Sequence, residues 1–435
     1  MWKKLKRSAQ GAHVPHRKNT SDQATRQLPL PEKIVLPMQQ HIGAPCTPCV
    51  KKGDDVFVGT VVGKAGGFVS ADIHSGVSGK VASIDTVLMP NGARIQAVVI
   101  TPDGKQTKDP SIQPPVVTDA KSLAEAARAC GLVGLGGAGF PTAVKLSPKD
   151  VSAIDTLVIN GAECEPYITA DNREFIECAD TVMEGIAAVK EHLNIAKVII
   201  GIERNKPEAI DLMFNLTKDD PAYTVKPLPS VYPQGAEKVL IETCTGREVP
   251  RGGLPADAGV IVMNVTTVST LGKFLKTGMP LTTKRLTVDG SAVSEPQNVE
   301  VIIGTPISFV LSNCGVKDEA KVLMGGPMMG TSVSDEEMPV LKQNNAILAF
   351  TEKDAHIPAP GACIRCGRCI AACPMGLSPV EIAGAYKKGD VDELNALMVD
   401  LCIACGTCSF VCPAKRPVTQ TMNLAKLAQR KGGKK

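Results

Sequence analysis

Aromatic side chains are scarce in this chain of 435 residues, with one Trp, four Tyr and nine Phe making up 3% of it. Proteins that hold single-stranded nucleic acid stack bases on aromatic rings, so that class is poorly supplied here. No apolar run reaches the roughly 18 residues a membrane-spanning helix needs. The opening residues, MWKKLKRSAQ, are basic but lack the apolar stretch that would follow in a secretory signal. A uniform charge is missing too, because the net charge of +4 conceals an uneven distribution. Residues 1–33 hold eight Lys or Arg against Asp22 and Glu32, and residues 413–435 hold seven and no acid. The body between them has 33 basic and 42 acidic residues. Basic ends suit an anionic membrane surface, an acidic protein partner or nucleic acid, and the lack of interleaved aromatics argues against the last. For residues 421–435 a solvated, disordered basic tail is the plainer expectation.

What the chain does have is cysteine, glycine and proline: 15, 40 and 32 residues. Its length implies about three to five domains. Fifteen cysteines behind no secretory signal suit a reducing compartment, where clustered thiols bind metals or catalyse rather than form disulfides. Two segments repeat the pattern C-x2-C-x2-C-x3-C-P: Cys363, Cys366, Cys369 and Cys373, then Cys402, Cys405, Cys408 and Cys412. Three cysteines two residues apart let one tight loop place thiolates on three corners of a cubane. The fourth, beside proline, turns away and serves the other cluster. The expected sets are Cys363, Cys366, Cys369 and Cys412 for one [4Fe–4S] cluster, and Cys402, Cys405, Cys408 and Cys373 for the second. Zinc needs four ligands, and a third regularly spaced cysteine in both copies exceeds that need. Between the runs, Ser378–Glu381 reads as a capping box opening a helix, and Gly389-Asp390 separates it from a second helix ending near Asp400.

The remaining cysteines are isolated and read as buried hydrophobes, with the pair Cys46 and Cys49 structural. Cys164, between Glu163 and Glu165, is the one to watch. Along the chain, residues 34–115 read as short β-strands with Gly turns, a small barrel or sandwich. Ser122–Glu125 reads as a capping box, and its Ala-rich helix ends at Gly131. Over residues 116–278 apolar strands at 156–160, 197–202 and 259–265 alternate with helical patterns, which argues α/β architecture. Residues 279–350 return to short strands, and 355–420 form the helical ferredoxin-like module.

Two further segments carry candidate chemistry. Gly134, Gly136, Gly137 and Gly139 formally fit G-x-G-x-x-G, but a helix precedes them and Phe140-Pro141 follows, which is the wrong context for a dinucleotide fingerprint. Four glycines still allow backbone N–H groups close to a phosphate, with Lys145 adding charge, and a purely structural loop fits equally well. Asn160, Glu163 and Glu165 follow a strand, at the end where α/β sheets bind ligands, although a charged solvent loop would look the same.

Taken together, six stretches and the two cysteine runs resemble the C subunit of the Rnf (also Rsx) electron-transport complex. The stretches are His41-Ile-Gly-Ala-Pro, Ile73-His-Ser-Gly-Val-Ser-Gly, Gly134–Thr142, Asn160–Tyr167, Tyr232–Lys238 and Met324–Gly330. The middle region is similar to the NADH- and FMN-binding subunit of respiratory complex I. Those resemblances imply a barrel-sandwich hybrid domain at 34–115, an FMN/NADH domain at 116–278 and a β-grasp-like domain at 279–350. They imply FMN cradled by Gly134, Gly136, Gly137, Gly139 and Phe140, with Lys145 near its phosphate. Asn160, Glu163 and Glu165 would border the flavin and nicotinamide, and Glu237 and Asn264 match further flavin-side positions. The chain departs from complex I where Gly235-Ala236-Glu237 stands for Gly-Glu-Glu.

The expected function is therefore a peripheral subunit on the cytoplasmic face of a bacterial inner membrane. It would pass electrons between NAD(H), FMN and two [4Fe–4S] clusters to or from membrane subunits, with ferredoxin or another redox protein as a further partner. The alternatives are an iron–sulfur subunit without its own nucleotide site and an assembly module. Trp2 and Leu5, among Lys3, Lys4, Lys6 and Arg7, suggest an amphipathic membrane contact.

Overall fold

Apolar residues, mostly valine and isoleucine, dominate the segments at 156–161, 197–203 and 260–264, and each is a strand; Tyr223–Leu228 adds a fourth at the sheet edge. The computed structural model describes residues 11–432, so the proposed membrane contact at Trp2–Arg7 lies outside the described residues. The four strands form one parallel sheet, ordered Tyr223–Leu228, Lys197–Glu203, Thr156–Gly161, Val260–Asn264. A parallel sheet covered on both faces needs apolar residues at every position, not at alternate ones. Accordingly Leu157 and Ile159 pack with Val182, Ile186 and Val268 of helices Ala179–His192 and Val265–Thr277. On the opposite face Val158, Val260 and Val262 pack against Leu240 and Ile241 of helix Glu237–Thr245. Truncating any of these to Ala would cost about 2–5 kcal/mol.

Before this sheet, a four-stranded antiparallel sheet (Ile34–Pro37, Arg94–Pro102, Gly79–Leu88, Asp55–Val56) faces a three-stranded one (Thr47–Pro48, Val61–Lys64, Ile73–His74). Ile34, Leu36, Val62, Ile73 and Val98 fill the space between them. After it comes a mixed six-stranded sheet ordered Arg26–Gln27, Gln297–Ile302, Thr283–Asp289, Ala346–Phe350, Lys321–Met324, Thr331–Ser332. Helix Ile307–Asn313 covers one face through Ile307, Val310 and Leu311.

The N-terminal basic segment is not a separate appendage where it is described. Arg26–Gln27 is an edge strand parallel to Gln297–Ile302. Ala12 exchanges backbone hydrogen bonds with Tyr232, and Ala12 and Val14 are buried. Three other sequence readings shift. Asp119, not Ser122, caps helix Ala120–Ala129; its side chain accepts from Ser122 N at 2.8 Å, so Ser122 is the third residue of the box. Helix Pro379–Lys388 starts as expected, with proline at its first position, but Ser378 makes no capping bond. The boundary at residue 420 falls inside helix Val418–Gly432, so the basic C-terminal stretch is not a disordered tail over its described part. Met422 and Ala425 of that helix are buried against Ile382, Leu394 and Val399.

The iron–sulfur module carries its repeat in the backbone. Arg365 and Ala404, Gly367 and Gly406, and Gly376 and Lys415 all have positive φ at matching positions after Cys363 and Cys402. The two cysteine loops are thus the same tight turn built twice.

Candidate functional site

Strand order reverses between Thr156–Gly161 and Val260–Asn264, and at such a switch point the carboxyl ends of the strands leave a gap. A crevice of about 1570 Å³ lies there. Its walls include Gly134, Gly136, Gly137, Gly139, Phe140, Lys145, Asn160, Glu163, Glu165, Glu237 and Asn264. All eleven nucleotide-side residues singled out in the sequence therefore face one cavity.

The glycine loop closes on itself, Gly134 N donating to Phe140 O at 2.8 Å and Gly139 N to Gly134 O at 3.0 Å. Gly137 has a φ of +115°, a conformation glycine takes without strain, and no protein atom occupies the space a Cβ would fill. Lys145 Nζ donates to Glu237 Oε1 at 2.7 Å and to Val262 O at 3.1 Å. Asn264 accepts from Thr267 N and donates to Asp171 Oδ2 at 2.7 Å, while Thr266 Oγ1 donates to Asp171 Oδ1 at 2.7 Å. Asn160 is fixed by Gly235 O and Ala162 N, both at 3.0 Å.

The two glutamates differ in how far their carboxylates are engaged. Glu163 Oε1 accepts from Asp171 N at 2.7 Å. Glu165 accepts from Met328 N and Met329 N, each at 2.9 Å, and so ties down the Gly325–Gly330 loop. A Cβ at Gly326 would collide with that carboxylate. Burial pushes the Glu165 carboxyl up to about 7 against the pull of these two N–H groups. Burial also raises Glu163, with Lys18 opposing it. The Cys164 thiol is pushed up to about 12, by burial first and then by Glu203, so it is an inert thiol and not a nucleophile.

Several contributors were not among the candidate site residues. Lys18 Nζ donates to the carbonyls of Glu163, Glu165 and Ile168 at 2.7, 2.9 and 2.5 Å. His41, Asp171, Tyr232 and Gln343 line the crevice from four distant parts of the chain. His41 and Tyr232 fall in two of the stretches that carry the resemblance but were given no role at the site, and nothing local distinguishes Lys18, Asp171 or Gln343. Two buried side-chain oxygens on the wall, Glu163 Oε2 and Gln343 Oε1, have no hydrogen-bond partner among the described residues. Unmet acceptors beside an unfilled glycine cradle suit a ligand that brings its own donors, as a flavin ring does.

A second cavity lies in the iron–sulfur module, and Cys373, Cys402, Cys405 and Cys408 all line it. Cys412 does not, which is what crossed ligation requires of that set. Groups that can donate to sulfur surround it: Ala404 N at 3.4 Å from Cys402 Sγ, Thr407 Oγ1 at 3.2 Å from Cys405 Sγ and Thr419 Oγ1 at 3.5 Å from Cys408 Sγ. Cys363 and Cys366 are exposed, while Cys369 and Cys412 are half-buried. Cys46 and Cys49 form no disulfide; their thiols face the carbonyls of Ala71 and Val61. The two cavities meet, since Ile403 and Cys405 line both. Tyr232, on the crevice wall, donates its hydroxyl to Cys405 O at 2.6 Å.

This fold and these cavities define a flavin and iron–sulfur electron-transfer protein. Three family models match in chain order: an RnfC barrel-sandwich hybrid domain at residues 6–105, a Nuo51 FMN-binding domain at 127–273 and a 4Fe–4S dicluster domain at 357–413. The C subunit of the Na⁺-translocating ferredoxin:NAD⁺ oxidoreductase complex of Acetobacterium woodii is 43% identical, across 97% of this chain and 98% of that one. Its counterpart in the ion-translocating oxidoreductase complex of Rhodobacter capsulatus is 38% identical, across 94% and 80%. The chain belongs to the family of these C subunits, RnfC. An NAD⁺-reducing [NiFe]-hydrogenase shares the fold at a TM-score of 0.50 and 16% identity, over 71% of this chain and 63% of that one.

Proposed function

We propose that this protein exchanges electrons between NAD(H) and the membrane subunits of an ion-translocating oxidoreductase complex. The single observation that carries this reading is the shared wall: Cys405 and Ile403 belong both to the glycine-lined crevice and to the four-cysteine cavity. FMN, when bound, supplies the conversion between a two-electron hydride and single electrons. The glycine loop would approach its phosphate and Lys145 would neutralise it, exchanging Glu237 for the anion. Asn160 and Asn264 would hold polar edges of the ring, and Asp171 keeps Asn264 turned toward them. Glu165 would act on the ring through the loop it fastens, since Met328 N and Met329 N engage its carboxylate, while Glu163 keeps Oε2 without a partner among the described residues and would accept from the ligand. A crevice of about 1570 Å³ exceeds the usual range for one small ligand, about 300–1,000 Å³, and leaves space for a nicotinamide beside the flavin.

Cys373, Cys402, Cys405 and Cys408 would hold the cluster nearer the crevice, and Cys363, Cys366, Cys369 and Cys412 the one nearer solvent, each supplying a one-electron centre when bound. Among the described residues no helix is long and apolar enough to cross a membrane, so coupled ion movement is assigned to partner subunits. The cytoplasmic side of a bacterial inner membrane fits both the fifteen cysteines and the use of NADH. The basic opening residues would meet its anionic surface.

Anaerobic purification followed by counts of iron, acid-labile sulfide and flavin tests this. Two clusters per chain, FMN and bleaching of cluster absorbance by NADH are expected. Clusters without flavin and without any response to NADH would reduce the crevice to scaffold.

A further inference from the structure

Hydride brings two electrons and one proton, whereas a [4Fe–4S] cluster takes an electron alone. By the balance NADH → NAD⁺ + H⁺ + 2e⁻, each turnover leaves one proton in the crevice, and the reverse reaction needs one delivered there. A buried carboxylate with an open oxygen is suited to receive it. Six acids line the crevice: Asp150, Glu163, Glu165, Asp171, Glu237 and Asp257. Asp150 and Asp257 are exposed to solvent, and Glu237 is paired with Lys145. Asp171 uses both oxygens on Asn264 and Thr266, and Glu165 both on Met328 N and Met329 N. Glu163 differs from all of them. It is only 5% exposed, Asp171 N occupies Oε1, and Oε2 has no partner among the described residues.

A buried group of alternating charge continues from this carboxylate. Lys18 Nζ sits 2.7 Å from the carbonyl oxygen of Glu163 and interacts electrostatically with both Glu163 and Glu203. Glu203 and Lys206 form a buried ion pair at 2.8 Å, in which Glu203 Oε1 again has no partner among the described residues. Ile202 lies opposite Gly161 in the sheet, so this pair follows the same strand ends as Glu163. Lys206 Nζ also donates to Asn205 Oδ1 at 3.2 Å, and Asn205 Nδ2 lies 3.3 Å from Nδ1 of the half-buried His16. An open oxygen on a buried carboxylate costs stability, so two of them beside one lysine point to a function other than scaffold. The charged groups facing Glu163 are Lys18 of the N-terminal segment, Asp171, Lys206 and Lys284. Burial and then Lys206 lower Lys18 to about 8, which lets its ammonium release and regain a proton near neutral pH.

We propose that Glu163 Oε2 takes up the proton released in the crevice, and that Lys18 and the Glu203–Lys206 pair pass it toward His16. The proposal rests on the function proposed above, since hydride chemistry is what releases a proton there. In each step one O–H or N–H bond breaks and another forms: Lys18 gives a proton to Glu203 and regains one from Glu163. No electron moves with it, and the reverse reaction runs the same exchange backwards.

The test uses the full, anaerobically purified chain with its clusters and FMN, mixed rapidly with NADH. Flavin absorbance reports hydride arrival, and cluster absorbance reports electron departure. Glu163→Gln keeps an acceptor for Asp171 N; it should leave arrival within about threefold and slow departure about a hundredfold. Reducing the flavin electrochemically adds negative charge beside Glu163. Infrared difference spectra should then show a protonated-carboxyl band in wild type that Glu163→Gln lacks. If that variant loses FMN, His16→Ala, outside the crevice, should still slow departure about tenfold, with recovery on adding imidazole. Unaltered departure in either variant, or a carboxyl band that is missing from wild type or kept in Glu163→Gln, overturns the proposal. Electrochemical reduction needs no NADH, so a normal band without any response to NADH counts against the proposed function alone. A chain that binds no FMN loses both.

Discussion

Replacing Lys18 by Met keeps the unbranched apolar stem and deletes the ammonium that three main-chain carbonyls share. Those of Glu163, Glu165 and Ile168 lie 2.7, 2.9 and 2.5 Å from Nζ. Hydrogen bonds involving a charged group contribute about 1.5–3 kcal/mol each in isolation. Three do not add, because burial and then the neighbouring Lys206 lower the Lys18 pKa to about 8, so desolvation offsets part of the attraction. We expect a net loss of about 2–4 kcal/mol, confined largely to the turn at 163–168, since the strand before it is held by ladders on both sides. Glu163, Cys164 and Glu165 line the crevice, so a loosened turn will register as weaker flavin binding. At about 1.4 kcal/mol per tenfold, a loss expressed fully in binding would raise the Kd for FMN between about thirtyfold and seven-hundredfold. Fluorescence titration of FMN into flavin-free protein at neutral pH reads this directly. Lys18→Arg should recover part of the affinity, because its charge returns but its planar fork cannot meet three converging carbonyls equally well. An unchanged Kd in Lys18→Met, with or without a lower melting temperature, would refute the link between this lysine and the flavin site.

Three other outcomes follow from named contacts. Glu165, raised from an ordinary 4.5 to about 7, binds its proton more tightly folded than unfolded. Its stabilising contribution is fully present below about pH 4.5 and fades as pH rises through 7, so melting of wild type relative to Glu165→Gln should improve on going from pH 7.5 to 5; a flat difference would contradict this. Asp171→Ala frees Asn264 and Thr266 and should destabilise the domain by about 1–3 kcal/mol while weakening FMN binding; calorimetry with the same titration checks both. Cys405→Ser should stop NADH from bleaching either cluster while flavin reduction continues, whereas Cys363→Ser should spare the inner cluster, and low-temperature EPR distinguishes them.

How much was legible in the sequence depended on the range of the physics. Cluster loops are local, since one tight turn places three thiolates, and the spacing at Cys363–Cys373 and Cys402–Cys412 reads directly as the repeat seen in the backbone. Continuous apolar runs marked the strands at 156–160 and 259–265 because both faces of that sheet are covered. The cap at Asp119 was missed by three residues because Asp119 and Ser122 are both good capping residues, and only the hydrogen bonds show which lies outside the helix. The roles of Glu163 and Glu165 were hardest, because a carboxylate near a ligand and a carboxylate that fastens a loop look alike in a string of letters.

The described N-terminal residues were illegible for a different reason: the contacts that fasten them to the rest of the chain span more than a hundred residues. Lys18 reaches the turn at 163–168, Asn19 donates to Asp289, and Arg26 pairs with Val299. No local pattern encodes such a strap, but its effect on the site is plain. At its start Ala12 pairs with Tyr232 in both directions, and Tyr232 in turn donates its hydroxyl to Cys405 O. Strap, crevice and inner cluster loop therefore converge on one buried tyrosine. Together with the two hydrogen bonds from Arg251 to Asp400, at 2.9 and 2.6 Å, that hydroxyl ties the crevice wall to the iron–sulfur module, so a displacement of the strap would be felt by the wall and the Cys405 loop together.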